Sequence, residues 1–418
     1  MNKILFILVC ITLGVYRIDL AEWNGSFQIT PILITSILFV IFYSIYLFNT
    51  VKVGVPKNFH ILLVLLSLIL IWCLLGIDYY DIIQIKRVIL FAFLMLFGIL
   101  INIYLFNHPH PRVLLYNFVL LTLIIYAILS IFQYYYFMHK IVYVNGNSIY
   151  PWLELYSQAV NLSSPRLNGG FLDPNIAGYF LIFLFLILHL IETTSKHLFL
   201  KSLIVFLVLI TISRSAISTL LILLILIYLK SIKLDTVLRI SLKKIVYVLG
   251  ILITVFVMIS YFDTSGKLDN LFTSRVTIKD RSAQIHFGLI EYGYEKILED
   301  PETFIKGYGF GSAYLLTSKF FGSNKYGNFH SEFLTIQIET GVIGLVFYLL
   351  IIITPILFIL RKPKLDKYYY ILILFYLAAF LENIFYQQYL FHYYWVFLLM
   401  PWFFSDSDFK KKLLVTNE

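Results

Sequence analysis

Charge is the scarcest property of this chain. Only 13% of its 418 residues are Asp, Glu, Lys or Arg, against about 25% in an ordinary soluble domain. Hydrophobic residues make up 60%, and the mean hydropathy is +0.87. This apolar character runs along the whole length, which excludes a soluble enzyme on one anchor and a secreted domain behind a signal peptide. Cysteine is almost absent. Cys10 and Cys73 both sit in apolar runs, so they read as small core residues and not as a disulfide or a thiolate metal site. No CxxC or HExxH occurs, and His108 and His110 form an isolated pair in a short connection. Neither a metal nor a cofactor is therefore expected. Internal repeats and low-complexity tracts are also missing.

What fills the chain is a series of long apolar runs. A helical span needs about 20 mostly apolar residues to cross a hydrocarbon core of about 30 Å. About twelve such runs are legible, near 4–16, 31–48, 61–77, 88–106, 113–135, 173–191, 198–212, 216–229, 245–262, 332–360, 368–389 and 392–404. The expected fold is thus all-α, a polytopic helical bundle in a membrane. Tyrosines at span ends, such as Tyr134 to Tyr136 and Tyr368 to Tyr370, suit the aromatic belts of the interfaces.

The net charge of +9 has to be sorted by membrane side before any partner is inferred. With a cytoplasmic N-terminus, eighteen Lys and Arg fall on inner segments, from Lys3 and Lys52 through Lys243 and Lys244 to Lys410, Lys411 and Lys412. The short outer connections then hold only Arg17, Lys86, Arg87 and Arg214. That asymmetry places both termini in the cytoplasm. The basic excess is a topology signal, and no nucleic-acid partner is expected.

Two outer segments are too long to be mere connections, at about 137–171 and 263–331. The chain accordingly divides into 1–262, with nine spans and the first external loop, then 263–331, a large external loop, then 332–418, with three spans and a cytoplasmic tail. The large loop reads as a folded cap, because Ile285, Leu289, Tyr292 and Ile297 recur at roughly helical spacing before a stop at Pro301.

Four places on the outer side carry residues that local structure alone does not call for. The run Arg166 to Asn175 contains Asp173-Pro174, a helix start, and ahead of it Arg166, Gly169 and Gly170, a guanidinium and backbone amides suited to an anion. In Ser213-Arg214-Ser215 an arginine interrupts nearly thirty apolar residues at the tip of a hairpin. Its arms of about 15 residues rise only about 22 Å, which leaves Arg214 below the outer surface, facing a polar cavity or snorkelling to headgroups. Arg281 opens the loop helix, where the macrodipole favours the opposite charge; it reads as a phosphate contact or a surface ion pair. In His330-Ser331-Glu332 the serine and glutamate suit a helix start, but the histidine needs another reason and can take a hydroxyl proton near neutral pH. Between these lie Gly307, Gly309 and Gly311, which permit either close approach to a substrate or only tight turns. Glu339, Glu382 and Asn383 are polar at span depth and either line the same cavity or pair internally.

Taken in order, these pieces resemble the bacterial O-antigen ligase and O-antigen polymerase superfamily over about residues 166–350. They are Arg166 through Asn175, Ser213-Arg214-Ser215-Ala216, Arg281 in a large external loop, Gly307 through Gly311, and His330-Ser331-Glu332-Phe333-Leu334 followed by Glu339-Thr340-Gly341-Val342-Ile343-Gly344. Ser331 departs from the pattern, since the family more often has asparagine there, but its capping role survives. The resemblance implies a GT-C-like bundle in the bacterial cytoplasmic membrane. It implies a glycosyl transferase that takes an oligosaccharide from a polyprenyl pyrophosphate carrier at the outer face, without a nucleotide sugar or metal. On that basis Arg214, Arg281 and His330 are the expected catalytic residues, and Arg166, Asn175, Glu332, Gly309 and Gly311 the expected substrate contacts. The function expected first is a repeat-unit polymerase of a surface polysaccharide. The alternative is a ligase that moves the finished glycan to a lipid A core, and a flippase of the same lipid-linked glycan is a third. A chain-length regulator and a flippase are the partners implied beside membrane lipids.

Overall fold

The computed structural model describes residues 2–15, 21–23, 27–50, 53–138, 168–171, 173–191, 198–231, 281–321, 329–362, 365–385 and 390–414. The run expected at 245–262 and Arg166 lie outside them. Helices α1 (Asn2–Leu13), α2 (Pro31–Phe48), α3 (Phe59–Leu75), α4 (Ile82–Asn107) and α5 (Pro111–Met138) come first, with a two-stranded antiparallel hairpin, β1 (Ala21–Trp23) and β2 (Phe27–Ile29), between α1 and α2. They are followed by α6 (Pro174–Ile191), α7 (Leu198–Ile210) and α8 (Arg214–Ser231). The large loop contributes α9 (Arg281–Leu298), α10 (Pro301–Lys306) and α11 (Ala313–Phe321), and the chain closes with α12 (Glu332–Leu360), α13 (Lys367–Phe385), α14 (His392–Phe404) and α15 (Ser407–Leu414).

Local chemistry sets most of the starts. Thr30 accepts a hydrogen bond from the Leu33 amide ahead of Pro31, and Asp81 one from Ile83. Asp300 accepts from Glu302 and Thr303, with Pro301 in the first turn. In each case a short polar side chain takes up an amide that the first turn leaves unpaired.

Six of the described helices are long and apolar enough to cross a membrane: Pro31–Phe48, Ile82–Asn107, the Pro111–Gln133 part of α5, Pro174–Ile191, Glu332–Leu360 and the Lys367–Ile384 part of α13. Their apolar side chains face outward as well as inward. On α2, Ile34, Ile37, Leu38, Ile41 and Ile45 are all exposed, a surface suited to lipid and not to water. At the centre stand α6 and α14, apolar all round and buried along almost their whole length, as an interior helix must be. Close backbone approach seats them. A Cβ on Gly98 of α4 would lie 2.9 Å from the Trp395 carbonyl carbon of α14, and one on Gly178 of α6 would lie 2.5 Å from Ala216 of α8.

The run expected as one span at 332–360 is broken. Gly341 has φ +65, inside α12. In a straight helix Ser331 and Tyr348 would stand about 25 Å apart at 1.5 Å per residue, yet both hydrogen-bond to Asn383. The helix therefore folds back at Gly341, leaving 342–360 to cross the membrane and 332–340 to pack beside it. Two carbonyls at the break find donors elsewhere: the Tyr308 amide donates to the Ile338 oxygen at 2.8 Å and the Trp72 indole to the Thr340 oxygen at 2.7 Å.

Three of the four periodic positions in 281–321 pack around a small core that also takes residues from 329–338. Leu289 and Ile297 are buried with Ala313, Leu316, Phe329, Leu334 and Ile338, and Tyr292 packs against them; Ile285 stays exposed. Because Leu334 and Ile338 belong to the first half of α12, this cap is fastened to the residues that follow His330.

Candidate active site

His330 is held by its two neighbours. Phe329 is fully buried in the cap core. Ser331 caps α12, accepting from the Leu334 amide, and its hydroxyl also donates to the Asn383 carbonyl at 3.4 Å. Between these anchors His330 takes φ +52, a left-handed conformation that costs a non-glycine residue about 1–2 kcal/mol and that is characteristic of functional sites. The ring stacks on His286, with centroids 3.7 Å apart and planes 12° from parallel. The register of α9 makes this contact: His286, Leu289, Gly293 and Ile297 share one face, and Gly293 brings that face against Phe329, Leu334 and Ile338. Burial first, and the neighbouring His286 second, lower the His330 pKa from the ordinary 6.5 to about 3. At neutral pH the imidazole is uncharged and keeps a lone pair.

Arg281 is the first residue of the same helix. At 1.5 Å per residue its backbone lies about 7.5 Å along the axis from His286, so the stack brings the Arg281 segment to His330. Its side chain lies outside the described residues.

Arg214 begins α8 and is exposed, after a turn in which Ile212 has φ +51. The turn is fixed from below: Thr211 donates to the Val208 carbonyl at 2.7 Å and accepts from the Ser213 amide, and Ser213 accepts from the Ala216 amide. Asp173 caps α6 as expected, taking the Asn175 amide at 2.7 Å, and Asn175 is half-buried in that first turn.

A buried polar layer joins these segments. Tyr179 of α6 bonds with Thr219 of α8 at 3.2 Å and interacts with Ser215, and it donates to the Leu381 carbonyl of α13 at 3.4 Å. Next along α13 come Glu382 and Asn383, both fully buried. Tyr393 donates to Glu382 Oε1 at 2.9 Å, while Asn383 Nδ2 donates to the Tyr348 and Tyr394 hydroxyls at 3.0 and 2.9 Å. Those two hydroxyls also bond to each other. Glu332, fully buried in the first turn of α12, is close enough for its charge to act on Glu382, Tyr348 and Tyr394. One layer thus ties together the Asn175 helix, the Arg214 hairpin and His330-Ser331-Glu332. Tyr179, Tyr348, Tyr393 and Tyr394 carried no signal of their own in a chain with 32 tyrosines; for His286 the hint was its place five residues after Arg281.

The glycines have packing reasons. Gly309 (φ +97) would place a Cβ 2.4 Å from the Gly76 carbonyl, and Gly311 (φ +84) one 2.9 Å from the Arg87 side chain. Arg87 donates to the Gly311 carbonyl at 3.2 Å and pairs with Glu339 at 3.6 Å, and Glu339 accepts the Ala313 amide at the start of α11. Glu339 therefore belongs to a clasp between α4, α11 and α12. Gly169 and Gly170 are likewise buried; the Gly169 amide donates to Gln133, and Gly170 lies against the Gly14 carbonyl. The Gly169 amide faces protein, not an anion.

The fold and this layer define a helical integral membrane protein with an ionisable site at one end of the bundle. Residues 199–349, a little over a third of the chain, match the O-antigen ligase (Wzy_C) family. The matched segment holds Arg214, Arg281 and His330 together, and it supports placing the chain in the O-antigen polymerase and ligase superfamily, whose members are glycosyltransferase-like enzymes. The chain has no match among curated proteins.

Proposed function

We propose that the protein is a repeat-unit polymerase, transferring a glycan from a polyprenyl pyrophosphate carrier onto the next lipid-linked repeat at the outer face of the bacterial cytoplasmic membrane, with both termini inside. The observation that carries the reading is His330, set at a left-handed φ and stacked on the helix that Arg281 begins, one buried layer from the Arg214 hairpin. In the reaction the acceptor hydroxyl attacks the anomeric carbon, the bond from that carbon to the phosphate oxygen breaks, and the pyrophosphate leaves with the electron pair. Arg214 and Arg281 stabilise the growing negative charge. The neutral His330 accepts the hydrogen bond of the attacking hydroxyl, takes its proton as the new bond forms and releases it to solvent, since an imidazole with a pKa of about 3 does not retain it at neutral pH. Asn175 and Glu332 line the approach, and Arg166 contributes a further cation to the phosphates. No metal or cofactor enters this scheme, and a chain-length regulator and a flippase are its natural partners.

The family description favours a second reading, a ligase that transfers the finished glycan to a separate acceptor. A surface-polysaccharide gel on a deletion strain, complemented with wild type, Arg214→Ala, Arg281→Ala or His330→Ala at matched membrane levels, separates the readings. A glycan stopped at one repeat and extended only by wild type identifies the polymerase. Polymer that accumulates on carrier lipid without reaching its acceptor identifies the ligase, and an unchanged ladder in all variants sinks both.

A further inference from the structure

Two oxygens of the polar layer are closed off from solvent and accept no hydrogen bond: Glu382 Oε2 and Asn383 Oδ1. Their other polar atoms are engaged, Glu382 Oε1 by Tyr393 and Asn383 Nδ2 by Tyr348 and Tyr394. Buried acceptors are seldom left so, and an adjacent pair of them in one layer calls for a donor-rich occupant. Glu382 and Asn383 lie in the last turn of α13, Tyr393 and Tyr394 in the first turn of α14, and Glu332 in the first turn of α12. The pair is therefore within one helical turn, roughly 5 Å, of the end of α13. Phe391 packs on the ring of Tyr393 at 6.1 Å, the residue whose hydroxyl donates to Glu382. Acceptor oxygens left without a donor do not suit a phosphate, whose own oxygens are acceptors. Two acceptors and neighbouring tyrosine hydroxyls are instead the chemistry that recognises a polyhydroxyl ring.

We propose that Glu382 Oε2 and Asn383 Oδ1 form a hydroxyl-accepting subsite for a sugar of the lipid-linked glycan. It rests on the glycan-transfer reading above and adds a division of labour: the arginines hold the pyrophosphate, and the Glu382–Asn383 pair selects the sugar. A site built to accept hydroxyl hydrogen bonds discriminates strongly, because an occupant without them leaves its acceptors unpaired.

The test measures binding of two probes to the full-length protein in nanodiscs of phosphatidylethanolamine and phosphatidylglycerol. One probe is lipid-linked oligosaccharide extracted from a strain lacking this protein; the other is the same polyprenyl pyrophosphate without sugar. Glu382→Gln, which turns the free acceptor into a donor, is expected to weaken the glycan-bearing probe about 10–100-fold while leaving the sugar-free probe within twofold and the melting temperature unchanged. Glu382→Asp keeps the carboxylate but withdraws it by one methylene, and is expected to lose less; it serves as the second variant should the glutamine protein fold poorly. Equal affinity of wild type and Glu382→Gln for the glycan probe overturns the subsite and leaves the two oxygens to bound water. Parallel loss of both probes overturns it in favour of a structural role. Wild type that binds neither probe removes the glycan-transfer reading itself.

Discussion

Glu339 and Glu382 are both carboxylates shut away from solvent near the same end of the bundle, and their surroundings are opposite. Glu339 meets the Arg87 guanidinium and the first amide of α11. Glu382 meets one tyrosine hydroxyl and keeps an oxygen without a hydrogen bond. A buried charge with complementary partners is a fastening, while a buried acceptor left over calls for a further partner, either bound water or a ligand group. Sequence position gave them equal standing as polar residues at span depth. Their partners separate them, and the separation can be tested because variants on the Glu382 side should lose function without losing the fold, and those on the Glu339 side the reverse.

The largest expected effects lie on the functional side. Arg214→Ala and Arg281→Ala should each slow polymer formation by about 10²–10³, equivalent to about 3–4 kcal/mol for a preorganised donor, and His330→Ala by about 10²–10⁴, all at wild-type membrane levels; a quantitative ladder gel reads this. Loss of the protein from the membrane in step with loss of polymer would move these residues to the Glu339 side.

On the fastening side, Glu339→Ala strands Arg87 and the start of α11, and should cost about 3 kcal/mol of stability, read as a lowered melting temperature in detergent. Glu339→Gln, which still accepts the Ala313 amide, should cost less. Full stability with abolished transfer in Glu339→Ala would return that carboxylate to the site.

Gly341→Ala comes next. Its φ of +65 suits glycine, and a Cβ there would stand 2.1 Å from the Ile305 carbonyl, so a loss of more than about 1 kcal/mol is expected. A neutral outcome in the melting experiment would mean that the fold-back of α12 is not needed.

The last prediction concerns pH, where near neutrality no effect is expected. The His330 pKa lies below its ordinary 6.5, near 3, so the folded state binds fewer protons than the unfolded chain between those values. Its contribution to stability is complete above pH 6.5 and declines as pH falls toward 3, by at most about 1.4 kcal/mol per unit. Transfer activity should accordingly show no acid limb from this group between pH 5 and 7. His286→Ala removes the lesser of the two causes and should move the pKa modestly upward. A wild-type limb centred near 6.5 would show that His330 is not enclosed as described.

Much of the helical plan was legible because it rests on local signals. Runs such as 31–48 reappear as helices with little change, and Asp173-Pro174 caps α6 as read. The 281–298 helix follows from the spacing of Ile285, Leu289, Tyr292 and Ile297, although Ile285 stays exposed. The fold-back at Gly341 was not legible, since Glu339-Thr340-Gly341-Val342 sits in one apolar run and a glycine in a helix announces neither the sign of its φ nor its neighbour. Gly169 and Gly170 misled for a related reason: exposed and buried glycine turns look alike until Gln133 and Gly14 are seen against them.

Sequence by itself determined that this chain resides in a membrane, where most of its helices run and where several of them start, because hydropathy, caps and stops act over a few residues. Only the tertiary structure decided which polar groups are satisfied. His286 reaches His330, and Asn383 reaches Tyr348, through helix packing that brings distant parts of the chain together, and a hydrogen bond depends on that final geometry. The difference between a clasp and a binding site therefore first becomes visible when the helices are assembled.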